Sequence, residues 1–218
     1  MRVMFKKSLK LVLLLGFMLM LFACGDPLSH FASSSGSLDL DTFVFPNPQL
    51  PAVLIYIEGH GEIVAELYPE YAPITVHNFI NLVENEFYDG LTFHRIIAGF
   101  MMQGGCPYGT GMGGSETIVG EFAANGIPNP LRHRRGVLSM ARSDDFNSAS
   151  SQFFIIDGTA SHLDGQFAAF GQVIHGMDVV DSVVGSVTPI DGNGTISEDE
   201  QPVIREIRLV NGSQIELE

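Results

Sequence analysis

Two apolar runs, Ala52 to Ile57 (AVLIYI) and Glu62 to Leu67 (EIVAEL), flank the tetrapeptide Glu58-Gly59-His60-Gly61. Turn residues between two such runs predict a β-hairpin. Downstream, ITVHNFINLVENEFY (residues 74–88) places Val76, Phe79, Ile80 and Val83 at helical spacing. It follows Pro73, a residue suited to the first turn of a helix. Short β-rich runs come next, at Leu91 to Ile97, Phe100 to Gln103, Gly136 to Met140, Gln152 to Ile155 and Phe167 to Val173. Met177 to Val184 (MDVVDSVV) predicts a second helix, and Val203 to Val210 (VIREIRLV) a closing strand. Many short strands, glycine-rich connections and only two helices predict an all-β-dominated domain, a closed antiparallel barrel with helical caps. The glycine-dense Gly104 to Gly114 (GGCPYGTGMGG) lacks the Lys-Ser/Thr ending of a phosphate loop and precedes no helical pattern. It is expected to be a surface loop.

The first fifty residues follow another pattern. Arg2, Lys6, Lys7 and Lys10 precede Leu11 to Ala23 (LVLLLGFMLMLFA), thirteen residues without a charge. A cationic start and a short apolar run predict an export signal peptide over 1–23. A spanning helix would need about 18 or more apolar residues. The run ends in Leu21-Phe22-Ala23-Cys24, which resembles the lipobox of bacterial lipoproteins. That resemblance implies that Cys24 receives diacylglycerol and becomes the new N-terminus, although Phe22 is larger than the residue usual there. Residues 24–50, Ser-rich and then Pro-rich, predict a flexible tether with a reach of roughly 25 to 30 Å. It would precede one globular domain at 51–218. In the alternative, Phe43 and Phe45 pack on the domain and shorten the tether.

Composition sharpens this picture through charge. The 218 residues carry 11 basic and 25 acidic side chains, a net charge of −14. After Cys24 there remain seven Arg, no Lys and all 25 acids, a balance of −18. So acidic a body repels phosphate backbones, which argues against a nucleic-acid partner. Two cysteines, Cys24 and Cys106, make neither a disulfide framework nor a zinc site. The seven histidines show no HxxxH or HExxH pair, so no metal site is expected.

Chemistry concentrates between Tyr88 and Gly105 (YDGLTFHRIIAGFMMQGG). On a strand over 93–97, alternation puts Phe93, Arg95 and Ile97 on one face, a guanidinium in line with large apolar groups. The bland account is an Arg snorkelling at a strand end or paired with a carboxylate. His94 should then face the opposite way in a hydrogen-bonded structural role. Arg132, Arg134 and Arg135 are expected to pair locally with acids, with docking of an acidic partner as the alternative. Cys106 is expected to be a passive thiol.

This segment resembles the cyclophilins, peptidyl-prolyl isomerases whose signature FHRIIxxFMxQGG is matched by Phe93 to Gly105. The resemblance continues through Gly136 to Ala141 (GVLSMA), Ser151 to Ile155 (SQFFI), Leu163-Asp164-Gly165, Phe170-Gly171 and Gly176-Met177, in the family's order. It covers about Ala52 to Val210 and implies an eight-stranded antiparallel β-barrel capped by two α-helices. By position it implies Arg95 as the catalytic arginine and Gln103 as its orienting neighbour. Phe100, Met101, Phe154 and Leu163 become walls of a proline pocket, and Ala141, Arg142 and Gln152 the peptide groove. Two further substrate-binding positions depart from the family. His162 stands where many members carry Trp, and Phe167 where many carry His. The stretch Arg142 to Ser151 also looks like bacterial members, one residue longer than the commonest eukaryotic form.

The implied reaction is rotation about Xaa-Pro bonds of unfolded or partly folded proteins, with no cofactor and no metal. With the export signal, this gives a monomeric isomerase assisting folding, lipid-anchored to the outer face of the bacterial cytoplasmic membrane. The alternative is a proline-peptide-binding chaperone or docking module with little turnover, which His162 and Phe167 would favour.

Overall fold

A strand that is apolar on both faces needs cover on both sides. In the computed structural model, which describes residues 37–40 and 42–211, β1 (Ala52–Ile57) has that cover. Val53, Ile55 and Ile57 point into the main core, while Ala52 and Leu54 join Val64 of β2 (Gly61–Leu67) in a cluster on the outer face. Leu38, Leu40, Phe43 and Phe45 lie over this outer cluster. Two backbone amides fix the strap: Leu38 N–H donates to the Glu62 carboxylate, and Asn47 N–H to Glu66 Oε1 at 2.9 Å. The tether expected over 24–50 is therefore shorter, because an apolar outer face recruits its C-terminal part. This is the alternative in which Phe43 and Phe45 pack on the domain. The signal segment 1–23, Cys24 and the tether up to residue 36 lie outside the described residues.

The expected strands form as β3 (Phe93–Ile97), β4 (Met101–Gly104), β5 (Val137–Met140), β6 (Phe153–Ile156), β7 (Ala169–His175) and β8 (Ile204–Asn211). They make one antiparallel sheet in the order β3-β4-β6-β5-β7-β2-β1-β8. Its two ends meet: Phe93 N–H donates to Pro202 O at 2.9 Å and Ile204 N–H to Leu91 O at 2.7 Å. The curled sheet is thus the eight-stranded barrel that the resemblance implied. Strands four places apart on such a ring face each other across it, so β4 stands opposite β2 and β6 opposite β1. The strap lies across the barrel from β4 and β6.

Two helices close the ends. In α1 (Pro73–Glu84), Val76, Phe79, Ile80 and Val83 are buried, and the Phe79 ring packs on those of Phe153 and Phe170 at 5.3 and 5.1 Å. Its free N-terminal amides are met by Glu121, which is 2% exposed. Ile74 N–H and Thr75 N–H donate to that carboxylate at 3.0 and 2.7 Å, an anion where the helix dipole favours one. The helix stops before the expected Tyr88 because Glu86 adopts φ 55°. Tyr88 is buried instead and donates its hydroxyl to Ser151 O at 3.0 Å. Val180 and Val183 are the buried residues of α2 (Met177–Ser186). Two of the three clustered arginines pair locally as expected: Arg132 with Asp164 at 3.3 Å, and Arg135 with Asp157 and Asp181 at 2.7 and 2.6 Å.

Candidate active site

Register assembles the site before any side chain is considered. Arg95 of β3 pairs with Gln103 of β4, Gln103 with Phe154 of β6, Phe154 with Ser139 of β5, and Ser139 with Ala169 of β7. Partners directly opposite in antiparallel strands share a face, so these five residues form one row across the outside of the barrel. The row starts at an irregularity. Phe93 pairs with Gly104 but Arg95 with Gln103, so two residues advance against one. This is a β-bulge, a device that re-aims side chains. It overturns the expectation that Phe93, Arg95 and Ile97 share a face. Phe93 enters the main core with Ile96, while Ile97 packs with Met101 and Phe154 outside.

Around the row lies a cleft of about 160 Å³ lined by Arg95, Phe100, Met101, Gln103, Ala141, Arg142, Phe154, Leu163 and Phe167. Sites for drug-sized ligands run to about 300 to 1,000 Å³, so this one suits a single side chain. Its floor is apolar, with Met101, Phe154 and Leu163 all at least nine-tenths buried. Arg95 stands at its rim, framed by two bonds: Nε donates to Asn193 O at 2.7 Å and Nη1 to Gln103 Oε1 at 3.2 Å. Nη1 also approaches Met101 Sδ at 3.7 Å. Nη2 has no hydrogen bond to any described residue, which leaves donors free for an occupant of the cleft. Burial draws the Arg95 pKa down and Asp191 opposes it, and the guanidinium stays a cation at neutral pH.

Comparison with known proteins agrees with this geometry. The family model described as cyclophilin type peptidyl-prolyl cis-trans isomerase/CLD matches residues 52–209. Peptidyl-prolyl cis-trans isomerase B of Bacillus subtilis is 48% identical over 123 residues, covering 56% of this chain and 82% of its own. A peptidyl-prolyl cis-trans isomerase of Helicobacter pylori is 42% identical over 137 residues, 58% of this chain and 82% of its own. Among solved structures, a Cryptosporidium parvum cyclophilin type isomerase, determined in the presence of the dipeptide Ala-Pro, superposes with a TM-score of 0.64. It is 30% identical and covers 72% of this chain and 98% of its own.

The chain belongs to the cyclophilin-type peptidyl-prolyl cis-trans isomerases. Its activity is that of an isomerase on proline-containing polypeptides. Of the positions carried over from the cyclophilins, nine line the cleft, and Gln152 and His162 stand beside it. Gln152 Oε1 accepts from Gln103 Nε2 at 2.9 Å, while its own Nε2 donates to Gly111 O and Gly113 O at 2.8 and 2.7 Å. The glycine-dense stretch is thus a loop, as expected, and it is tied to Arg95 through two glutamines. Gly113 N–H in turn approaches Cys106 Sγ at 3.3 Å. His162 is exposed, and its ring lies 5.4 Å from that of Phe100. The Arg142 guanidinium sits 4.6 Å above the Phe167 ring, so this cation is part of an aromatic wall.

His94 corrects an expectation. As the extra residue of the bulge it is 5% exposed, yet neither ring nitrogen has a hydrogen-bond partner among the described residues. Burial, helped by the neighbouring Arg95 charge, lowers its pKa to about 4, so the ring is neutral. Sequence reasoning passed over Asn193, which anchors Arg95 from a loop without any motif. It also passed over His133, Ser139 and Asp164 as a group. The last two stand within GVLSMA and Leu163-Asp164-Gly165, so the signal was present there.

Proposed function

We propose that Arg95 lowers the rotation barrier of an Xaa-Pro bond whose proline ring occupies the cleft. Such a bond isomerises over tens to hundreds of seconds because twisting the amide loses its resonance. In the twisted state the prolyl nitrogen becomes pyramidal and gains a lone pair. A donor aimed at it binds the twisted state better than either planar one, which is what accelerates the reaction. A charge-assisted hydrogen bond of about 1.5 to 3 kcal/mol supplies one to two decades of rate. The rest comes from the apolar grip of Phe100, Met101, Phe154, Leu163 and Phe167 on the ring while the acyl side turns. Gln103 orients the guanidinium, and Ala141, Arg142, Gln152 and His162 border the peptide. The free Nη2 of Arg95 beside an apolar cleft is the observation that carries this reading. Two-dimensional exchange NMR on an Ala-Pro peptide tests it: loss of catalysed exchange in Arg95→Ala, with the fold kept, is the expected result.

The setting is proposed from the head of the chain. The cationic start, the apolar run and Leu21-Phe22-Ala23-Cys24 support export and a lipid on Cys24. The isomerase would act as a monomer at the outer face of the cytoplasmic membrane, on newly exported chains whose proline isomerisation limits folding. Intact-mass measurement on membrane-extracted protein decides the anchor. A mature chain starting at Cys24 with diacylglycerol is expected, and an unmodified terminus elsewhere would overturn it.

A further inference from the structure

Behind the pocket wall lies a buried titratable group that the isomerisation mechanism does not use. His133 is 1% exposed. Its Nδ1 lies 3.1 Å from Asp164 Oδ1, and that same oxygen accepts the His133 backbone N–H at 2.7 Å. Its Nε2 lies 3.0 Å from Ser139 Oγ, and Ser139 is fully buried. The ring stacks on Phe154 with centroids 6.2 Å apart and planes 21° from parallel. Ser139 and Phe154 are neighbours in the row that begins at Arg95. One imidazole therefore touches the pocket wall twice, by its face and through the next residue of the row.

The bonding fixes one proton arrangement. An ionised Asp164 only accepts, so Nδ1 carries the proton. A neutral ring then takes the Ser139 O–H at Nε2. We propose that His133 is a positioning residue: held between Asp164 and Ser139, it sets the Phe154 wall of the proline pocket, and its protonation in mild acid releases that wall. The inference rests on the reading of the cleft as the isomerase site. Protonation makes Nε2 a donor to Ser139 Oγ, and the hydroxyl proton it had accepted then has no other hydrogen-bond partner among the described residues. A buried hydroxyl proton left without an acceptor is costly, so Ser139 must turn its O–H away from the ring and disturb the row. The charged groups facing the ring are Asp164 and the Arg132 bonded to it, together with His162 from the adjoining turn. Ser139 from β5 and Phe154 from β6 contribute no charge. Burial draws the His133 pKa below the usual histidine value, against the pull of Asp164 and with the help of His162.

The test is a pair of profiles on the full chain. One is kcat and KM on an Ala-Pro peptide from pH 5 to 8, and the other is NMR titration of the His133 ring. The expected result is a rise in KM of about fivefold toward acid, with a midpoint below 6.5 that coincides with the His133 titration. In His133→Phe, which keeps a ring against Phe154, the acid rise disappears and KM is raised at every pH. Ser139→Ala keeps His133 but removes the hydroxyl that bonds Nε2 in both protonation states, so the midpoint moves. A wild-type KM flat from pH 5 to 8 would overturn the proposal. So would a rise that persists in His133→Phe, or a midpoint that Ser139→Ala leaves in place. Absence of catalysed exchange at every pH would instead overturn the reading of the site, and this inference with it.

Discussion

Replacing Arg95 by Lys keeps the charge and removes the geometry. The guanidinium divides its donors: Nε is spent on Asn193 O at 2.7 Å and Nη1 on Gln103 Oε1 at 3.2 Å, while Nη2 remains for the prolyl nitrogen. A lysine ammonium at the end of a flexible stem cannot occupy both anchors and still present a fixed donor over the cleft. What is lost is one charge-assisted hydrogen bond, about 1.5 to 3 kcal/mol. At about 1.4 kcal/mol per decade that lowers kcat/KM by roughly ten- to a hundredfold. Because the bond forms only in the twisted state, the loss should fall on kcat, with KM within about twofold of wild type. Exchange NMR on an Ala-Pro peptide measures both, and thermal unfolding checks that the barrel is intact. A wild-type kcat/KM in Arg95→Lys, in an assay that registers Phe100→Ala, would refute the argument. So would a loss confined to KM.

The buried His94 should make stability depend on acid. Its folded pKa of about 4 lies below the usual 6.5, so the unfolded chain takes the proton first. Stability contributed by the neutral ring is complete above pH 6.5 and lost as pH falls toward 4, by up to about 3 kcal/mol. The difference between the denaturation midpoints of wild type and His94→Leu should shift across that window, with wild type losing stability relative to the variant as pH falls, and a constant difference would contradict the assignment. Removing the strap by starting the chain at Leu50 uncovers the cluster of Ala52, Leu54 and Val64. Each half-buried Leu or Phe lost is worth about 1 kcal/mol before ordering entropy is set against it, so Tm should drop by several degrees. An unchanged Tm would mean that the strap merely rests there. Cyclosporin, which blocks many cyclophilins by occupying the proline groove, should bind about ten- to a hundredfold more weakly than to Trp-bearing relatives. The reason is that His162 offers less apolar cover beside Phe100. Calorimetry on His162→Trp should recover much of that affinity, and no change would displace His162 from the groove.

Apolar periodicity made the strands and α1 legible, because β-rich runs and the spacing of Val76, Phe79, Ile80 and Val83 report burial directly. Residue type at the motif positions made Arg95, Gln103 and the pocket walls legible through a resemblance. Neither source could supply the bulge in β3. A bulge is a mismatch between two strands, invisible in either alone, and it separates Phe93 from Arg95 and isolates His94. The strap stood only as the alternative to a flexible tether, for a related reason. Its Leu and Phe residues show a binding preference only once the outer face of β1 and β2 exists. Asn193 offers its backbone carbonyl to Arg95, and a carbonyl has no sequence signature.

The strap also defines a path for force. Tension entering from the N-terminal side meets Leu38, Leu40, Phe43 and Phe45 before it reaches β1. Those contacts and the two amide bonds to Glu62 and Glu66 are arranged in series, so they peel one after another. Strand β1, by contrast, is hydrogen-bonded along both edges, to β2 and to β8, so releasing it breaks two ladders at once. A pull from the N-terminal side therefore unzips about ten residues of chain as slack while the barrel holds. Gln103 and Phe154, on the opposite wall, keep their register while the slack is drawn out.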